Sequence, residues 1–317
     1  MKYWLTTHWP PRIDEPIGPR PVGVWLQHDK LHVADDMTSG DLVFIYQAGS
    51  GKAVRESYAD GTTKIIPRSP GRQGLISLGR ILDRPSQPEN SQPEQYSDGS
   101  ERWWRYRAPV QVLNSAGFIP RPTLAVELGY KPSFAFRGFG KEHSGLAQLD
   151  ETVFHRLKEQ FLNPLLEQDE ETKRFVRRHR GHGKGGEGPR HLALKLAIAA
   201  DPSTILREPG LRHFATEYQL PTGDTIDVVL LDEYARFVVV EVEVDCNEEE
   251  VIGPLQCAKY RALMSYLHHR TPDEVRTILV AHGIHDAVAM QCREYRIECC
   301  TATPDLPSAR LEGDVAL

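Results

Sequence analysis

The stretch 237–245 alternates valine with acidic residues toward its end, with Glu241, Glu243 and Asp245 at odd positions. Because successive side chains of a β-strand point to opposite faces, a strand here carries valines on one face and the three carboxylates on the other. Carboxylates crowded on one face repel each other, and a bound cation relieves that repulsion. The stretch is therefore a candidate metal-binding strand. The alternative is an exposed acidic sheet face or a set of surface ion pairs.

A fourth acid, Asp227, lies among apolar residues in the preceding candidate strand, 225–231. If the connecting loop has an odd number of residues, such as 232–236, Asp227 lies directly across from Glu241. An even loop without a bulge would put the two acids on opposite faces. We expect the odd loop or a bulge, with Asp227 and Glu241 holding Mg²⁺ or Mn²⁺. Such an ion activates water and stabilises charge on a phosphate during hydrolysis.

The order of Asp227, a turn, Glu241-Val242-Glu243 and then a helix resembles the core of PD-(D/E)XK nucleases. The resemblance covers roughly residues 187–301 and includes Gln256 and Tyr260, four apart on the next helix. It implies that Asp227 and Glu241 bind the metal, and that Gln256 and Glu243 belong to the catalytic group. From residue type alone, Gln256 and Tyr260 fit an ordinary helix surface better than a catalytic site.

The resemblance has one departure, because position 243 is glutamate where the family usually has lysine. Some restriction enzymes of that superfamily also have glutamate there, where it binds a second ion or orients the water. It does not supply the positive charge of a lysine, and Lys195 or Lys259 are candidate substitutes. The superfamily often adds an acid from its first helix, for which Glu187 is the candidate.

Aromatic residues are concentrated in the first half, which contains all five tryptophans. Flat aromatic side chains hold an extruded base by stacking, although many of these rings are also suited to a barrel core. Residues 3–10, 23–25 and 40–46 resemble an EVE domain, a PUA-like β-barrel family related to YTH domains and associated with modified bases. This resemblance covers about residues 1–163, and it makes these residues the pocket candidates: Trp25, Tyr46, Trp4 and Ser39.

The segment 173–195 is the one strongly cationic stretch of the sequence. Arg177, Arg178, Arg180 and Lys184 are the candidates for contact with the DNA backbone, because cationic side chains neutralise phosphates. The glycine-rich loop 136–141, with two cations, is a further candidate for approach to a phosphate. A solvated charge run and a plain turn are the respective alternatives.

The elements that would position these residues define an α+β protein of two domains. Short β segments at 3–7, 41–46, 74–82 and 103–112 indicate a PUA-like small β-barrel with flanking helices, including a helix from Asp150 to about Leu162. The second half, with helices at 189–200 and 254–268 between strands, has the mixed order of an α/β restriction-endonuclease-like core. The predicted divisions are a domain at 1–165, a basic glycine-rich linker at 166–188 and a nuclease-like domain at 189–317.

Composition excludes several other classes. No stretch approaches the ~18 apolar residues of a membrane span, and the start lacks the apolar core of a signal peptide. The five cysteines lack the spacing of a zinc site or disulfide framework, which favours a reducing cytoplasm. The net charge of −6 argues against a nonspecific DNA coat. Gly49-Ser50-Gly51-Lys52 is not a P-loop, because Tyr46 stands where that motif needs glycine.

These observations predict a modification-dependent DNA endonuclease. Its first domain flips and binds a modified base, with modified cytosine one candidate, and its second hydrolyses the backbone with Mg²⁺ or Mn²⁺. Its partner is DNA carrying modified bases, and double-strand cleavage requires a homodimer or a DNA-assembled pair. The alternatives are a non-catalytic reader with an inactive nuclease fold, and a nuclease directed at RNA or repair.

Overall fold

The computed structural model describes residues 1–15, 22–89, 91–136, 138–178 and 188–303, and gives no side-chain description for residues 167–178. The chain divides into two compact units, Met1–Leu166 and Glu167–Leu317. Within the described residues, no helix is long and apolar enough to cross a membrane.

The first unit consists mainly of β-strands joined by short loops, with one short helix and the start of a long one. Its strands are β1 (Tyr3–His8), β2 (Gly23–Leu26), β3 (Leu42–Gln47), β4 (Val54–Ser57), β5 (Thr63–Ile66), β6 (Gly74–Ile81), β7 (Glu94–Gln95), β8 (Glu101–Arg102), β9 (Tyr106–Asn114), β10 (Ile119–Pro120) and β11 (Leu146–Leu149). The helices are α1 (Arg121–Glu127) and α2 (Glu151–Arg178). Short 3-10 turns occur at Leu31–Ala34 and Lys141–His143.

The main sheet of this unit has the strand order β11-β1-β3-β6-β9-β2, with β10 beside β6. β3 lies between β1 and β6, and five of its six residues are buried, as expected for a central strand covered on both faces. In the part of the chain that the structure describes, no strand ladder joins β11 to β2. The strands predicted at 3–7, 41–46 and 74–82 are confirmed. The hydrogen-bonded strands form an open path in the described residues, and the PUA-like small barrel stays a prediction.

Helix α2 is much longer than the sequence predicted. It begins directly after Asp150, whose carboxylate accepts hydrogen bonds from the backbone N–H groups of Thr152 and Val153, as the predicted N-cap requires. It then continues through Pro164 to Arg178 and does not end near Leu162. Residues 166–178 of the predicted linker are thus helical, and the division of the chain into two domains and a linker stays a prediction. Residues 179–187 lie outside the described part of the chain.

The second unit is a mixed sheet with helices on its two faces. The helices are α3 (Pro189–Ala200), α4 (Pro202–Ile205), α5 (Ile252–Leu267) and α6 (Asp286–Glu294), with a 3-10 turn at Pro272–Glu274. The strands are β12 (Arg212–Gln219), β13 (Thr225–Leu231), β14 (Phe237–Val242), β15 (Asp245–Cys246), β16 (Val275–Ala281), β17 (Gly283–Ile284) and β18 (Glu298–Thr301). The mixed α/β order predicted for this half is confirmed.

The sheet of the second unit has the order β12-β13-β14-β16-β18. The first three strands are antiparallel, whereas β16 runs parallel to β14 and β18 runs parallel to β16. On β16, Ile278 and Val280 pack into one core with α3, while Leu279 and Ala281 pack into another with α5 and α6. This alternation buries both faces of the sheet, which explains the almost continuous apolar sequences of its central strands.

Candidate metal and phosphate site

The hairpin between β13 and β14 has the odd loop that the sequence analysis required. Val228 pairs with Val240 and Leu231 with Phe237, which leaves the five-residue loop 232–236. The loop is closed by Asp232, whose Oδ1 accepts hydrogen bonds from the backbone N–H groups of Tyr234 and Arg236. If the same register continues by one residue, Asp227 lies across from Glu241. The predicted odd number of loop residues is therefore confirmed.

Asp227 lies where the ladder between β13 and β14 stops, and its carboxylate contacts three different groups. Its Oδ2 accepts a hydrogen bond of 3.0 Å from the backbone N–H of Val242. The same oxygen lies 3.4 Å from Nε2 of His191, and Oδ1 lies 3.8 Å from Nζ of Lys195. Its side chain is only 13% exposed. The strand end and α3 thus hold the carboxylate in one orientation, with both oxygens near cationic or polar donors.

Glu241 is the most unusual group of the site. The residue is 6% exposed, and among the described residues its Oε2 is buried without a hydrogen-bond partner. Burial, the charge of Asp227 and the charge of Glu243 together raise the pKa of Glu241 to about 9. A buried acceptor without a donor costs about 1–3 kcal/mol, more when it is charged. Such a group fits a site that is completed by a bound cation.

Glu243 lies just past the end of β14, beside the start of α5. Its backbone N–H donates to the Val280 carbonyl at 2.8 Å, which extends the contact with β16. Its side chain is half-buried, and its Cγ is near the position that a Cβ on Gly253 would occupy. Burial and the charges of Glu250 and Asp227 raise the pKa of Glu243, while His191 lowers it.

The strand bearing these acids is shorter than predicted. β14 ends at Val242, and Asp245 belongs to a separate two-stranded sheet with β17. Asp245 is exposed and lies 3.4 Å from Arg190, so it does not share a buried face with Glu241 and Glu243. The expectation of three carboxylates on one continuous strand was wrong at this position, because Asp245 pairs with Gly283 of β17 and not with a strand of the main sheet.

Lys195 projects from α3 and is 1% exposed at its side chain. Its Nζ lies 3.2 Å from Glu217 and 3.8 Å from Asp227, so one ammonium group bridges two carboxylates. Lys259, the other candidate substitute for the missing lysine, instead pairs with Asp224 at 2.8 Å. Lys195 is therefore the lysine that the fold brings to Asp227.

Glu217 was missed by the sequence analysis. The register of β12 and β13 places it across from Asp227, which makes a transverse row of Glu217, Asp227 and Glu241 on three adjacent strands. Its φ of 52° lies in the left-handed region, which is costly for a residue with a side chain. The length of the loop 220–224 could have identified Glu217 from the sequence. A loop of five residues again places odd-numbered residues of β12 across from odd-numbered residues of β13.

Gln256 and Tyr260 lie on α5 at the same strand end. Gln256 is half-buried, and its Nε2 lies 3.4 Å from the Tyr260 hydroxyl. Tyr260 is buried, and its hydroxyl donates to the Thr225 carbonyl at 3.2 Å. Tyr260 therefore ties α5 to β13, and Gln256 remains a prediction as a catalytic residue.

The donor set suits a hard divalent cation. No group of three or more His, Cys, Asp or Glu side chains within the described ranges has the geometry to hold an ion by itself. Mg²⁺, however, is commonly bound by only one or two carboxylates, with waters and substrate phosphate completing its shell. Asp227 and Glu241 supply two such carboxylates, and the unpartnered Oε2 of Glu241 is a free ligand atom. These two residues fit the metal that the sequence predicted.

The candidate base-pocket residues of the first unit differ in exposure. Trp4 is 2% exposed in the core, and its Nε1 donates to Asp41 at 3.0 Å. Tyr46 is also 2% exposed and stacks on Phe136 with 4.7 Å between ring centroids. The structure thus places both rings in the interior, where a base reaches neither without displacing core contacts. Trp25 is partly exposed and Ser39 is exposed.

The predicted DNA-backbone residues are only partly within the described structure. Arg177 and Arg178 occupy the last turn of α2, but their side chains lie outside the described part. Arg180 and Lys184 fall outside the described residues altogether, as does Arg137 in the loop 136–141. These residues remain predictions.

Comparisons with known proteins give matches only among solved structures. No family model and no curated protein matches the chain. EndoMS in complex with double-stranded DNA is similar over 91% of this chain and 99% of its own, at 12% identity and a TM-score of 0.32. A repair endonuclease from Pyrococcus abyssi is similar over 86% of this chain and 92% of its own, at 15% identity and a TM-score of 0.30. Such low values assign neither a family nor an activity to this chain.

Proposed function

We propose that the second unit is a divalent-metal-dependent endonuclease that hydrolyses the phosphodiester backbone of DNA. The observation that carries the proposal is the carboxylate of Glu241, buried across from Asp227 with an oxygen that has no donor among the described residues. Two such carboxylates would hold Mg²⁺ or Mn²⁺. When bound, the ion would activate a water and stabilise the charge that develops on the phosphate.

The surrounding residues have distinct roles in this proposal. The backbone N–H of Val242 orients Asp227, and His191 holds the Val242 carbonyl at 2.7 Å, so the ligand is fixed before substrate arrives. Lys195 supplies the positive charge that Glu243 does not, because its Nζ already lies 3.8 Å from Asp227. Glu243, half-buried beside the acids, orients the attacking water, and Gln256 lines the same strand end.

The substrate in this proposal is DNA that carries a modified base, which the first unit recognises. The partly exposed Trp25 supports a role in base contact, whereas the buried rings of Trp4 and Tyr46 support a role in holding the sheet. Modified cytosine is one candidate base. Cleavage of both strands would require two active sites, supplied by a homodimer or by two chains assembled on DNA.

A cleavage assay on modified and unmodified DNA duplexes, with Mg²⁺ or Mn²⁺, tests the proposal. The full chain is expected to nick or cut modified duplexes, and Asp227→Asn and Glu241→Gln are expected to abolish cutting. Asp245→Asn is the matched control, because Asp245 is an exposed acid from the same stretch of sequence that lies outside the proposed ligand pair. Cleavage that persists in both ligand variants, or is lost equally in the control, would contradict the assignment. RNA in the same panel tests the RNA-directed alternative.

A non-catalytic reader is the second candidate, and one observation favours it. The ammonium group of Lys195 lies 3.8 Å from Asp227, so part of the acidic charge is already compensated without a metal ion. In that case the chain binds modified DNA selectively but leaves it intact with every metal tested. Selective binding together with metal-dependent cleavage would exclude this candidate.

A further inference from the structure

Four of the five tryptophans remain partly exposed in the structure. Trp9, Trp25, Trp103 and Trp104 are each intermediate in exposure, and only Trp4 is buried. All belong to the first unit. A partly exposed tryptophan offers a large apolar ring together with an N–H donor, which is why tryptophan is enriched at interfaces.

Two of these rings have a structural explanation. Trp9 and Trp104 contact each other edge to face at 6.4 Å, and the Arg68 guanidinium lies 5.2 Å from the Trp9 ring. Arg68 is itself paired with Glu94 at 3.0 Å and donates to two backbone carbonyls. Arg68 and these two rings therefore pack the loops of the unit together, and the charge of Arg68 is paired.

The other two rings form part of a different surface, which we call the stacking face: Trp25, His28, Trp103, Arg105 and Arg107. Trp25 on β2 pairs with Arg107 on β9, and the Arg107 guanidinium carbon lies 5.4 Å from the Trp25 ring centroid. The Arg105 guanidinium carbon lies 4.8 Å from the Trp103 ring, and His28 stacks on the same ring at 5.9 Å. The backbone N–H of His28 also donates to the Trp103 carbonyl at 3.0 Å, which joins the two segments.

The side chains of the stacking face are held in place by neutral partners. Trp103 Nε1 donates to the Ser91 hydroxyl at 3.1 Å, and Arg105 Nε donates to the Gln87 side chain at 3.0 Å. Arg107 Nη2 donates to the Val22 carbonyl at 3.0 Å. Side chains fixed in this way lose little conformational entropy on binding, which favours a preformed site.

The charge of the stacking face is not compensated locally. Within the described residues neither Arg105 nor Arg107 forms an ion pair with a carboxylate, whereas Arg12, Arg68 and Arg236 each do. Two arginines and an exposed histidine thus stand beside two aromatic rings in a protein of net charge −6. A ligand that combines flat apolar rings with regularly spaced negative charge is complementary to this arrangement.

We propose that the stacking face binds unpaired nucleotides of a DNA strand. Bases stack on Trp25 and Trp103, and the guanidinium groups of Arg105 and Arg107 contact phosphates on either side of them. The inference rests on the proposed function and deepens it, because it gives the first unit a nucleic-acid contact that the buried Trp4 and Tyr46 do not provide. The proposed ligand is unpaired DNA, such as the strand around an extruded base.

Fluorescence anisotropy of a labelled oligothymidylate with the full chain in EDTA tests the inference. Trp103→Ala is expected to weaken binding roughly 5- to 150-fold, the effect of losing one stacked base. Trp103→Phe keeps a ring and is expected to retain most of the affinity, which guards against a folding defect. The double variant Arg105→Gln/Arg107→Gln is expected to lower the slope of log affinity against log salt by about 1.4, for two phosphates.

Arg55→Gln is the matched control, because Arg55 is an exposed arginine of the same unit on β4, outside the stacking face. Wild-type affinity in Trp103→Ala and in the double arginine variant, or an equal loss in Arg55→Gln, overturns the inference. Tighter binding of an oligouridylate, or of a fully paired duplex, overturns the assignment to unpaired DNA. The binding assay contains EDTA and so does not depend on the metal of the catalytic proposal, which keeps a failure of the catalytic proposal distinguishable from a failure of this inference.

Discussion

The carboxyl group of Glu241 links the stability of the metal-free protein to pH. In the folded chain its pKa is raised to about 9, first by burial and then by the charges of Asp227 and Glu243. In the unfolded chain it titrates at its ordinary value of 4.5. Between these two values the folded state holds a proton that the unfolded state has released. The free energy of unfolding therefore falls as pH rises through this window, and the full stabilisation is present only below 4.5.

The Glu241→Gln substitution removes this dependence while keeping the size of the side chain. Each pH unit within the window changes the free energy of unfolding by at most about 1.4 kcal/mol. At about pH 7.5, roughly three units above the ordinary pKa, the upper bound is about 4 kcal/mol. Because neighbouring groups relax, we expect the metal-free variant to be about 2–4 kcal/mol more stable than the wild type there. The two proteins are expected to be nearly equal at about pH 4.

Urea unfolding followed by circular dichroism, in EDTA at several pH values, measures this difference directly. Asp245→Asn is the control, since its exposed carboxylate lies outside the buried pair and is expected to leave the pH profile unchanged. Stability profiles of wild type and Glu241→Gln that run parallel from about pH 5 to 8 would refute the reasoning. So would a variant that is less stable than the wild type at neutral pH.

Adding Mg²⁺ to the same samples completes the experiment. A ligand that binds only the folded state raises the free energy of unfolding with its concentration, and a metal-bound carboxylate must be deprotonated. Mg²⁺ is therefore expected to stabilise the wild type increasingly as pH rises, and to stabilise Glu241→Gln much less. Equal stabilisation of both proteins would show that the ion binds elsewhere.

Three further variants test individual contacts. Lys195→Met leaves the carboxylates of the site without their buried cation, so cleavage is expected to fall at least about 100-fold, while the exposed Lys259→Met is expected to cut normally in the same assay. Asp41→Ala deprives the Lys2 and Thr38 N–H groups and the Trp4 ring of a shared acceptor, and urea unfolding is expected to show a loss of about 3 kcal/mol. Tyr260→Phe removes one hydrogen bond to a backbone carbonyl and is expected to cost about 1 kcal/mol in that measurement.

The geometry of the acids could be predicted because it depends on parity alone. A run of β-branched residues fixes the strands, and an odd loop then determines which side chains oppose each other. The same rule applied to the loop 220–224 also finds Glu217. The approach of Lys195 was not predictable in this way, because it depends on how α3 packs across the sheet. The Lys195 side chain is only 1% exposed, and its charge is tolerated there because it pairs with carboxylates on two different strands. No local sequence pattern contains both strands.

The sequence was less informative where charge or aromatic content has two structural meanings. Residues 167–178 are rich in charged residues that suit a linker, yet Glu, Lys and Arg are also strong helix formers, and α2 extends through them. The rings of Trp4 and Tyr46 suit a base pocket and a core equally well. They are buried because β1 and β3 lie inside the sheet of the first unit, between other strands. Strand position, and not residue type, therefore separates core rings from exposed ones.

The charges around Glu241 suggest that a proton and a metal ion compete for one position. Three acids lie near Glu241 or pair with its neighbours, namely Glu217, Asp227 and Glu243, and Lys195 is the buried cation among them. In the absence of metal, burial and then the negative charges of Asp227 and Glu243 favour a proton on Glu241, which is why its pKa is raised. A divalent ion held by Asp227 and Glu241 would reduce the same negative charge and would require Glu241 to be deprotonated. Glutamate at position 243, where the resemblance leads one to expect lysine, is then consistent with the proposed nuclease activity. Lys195 reaches Asp227 from helix α3 and can supply the positive charge.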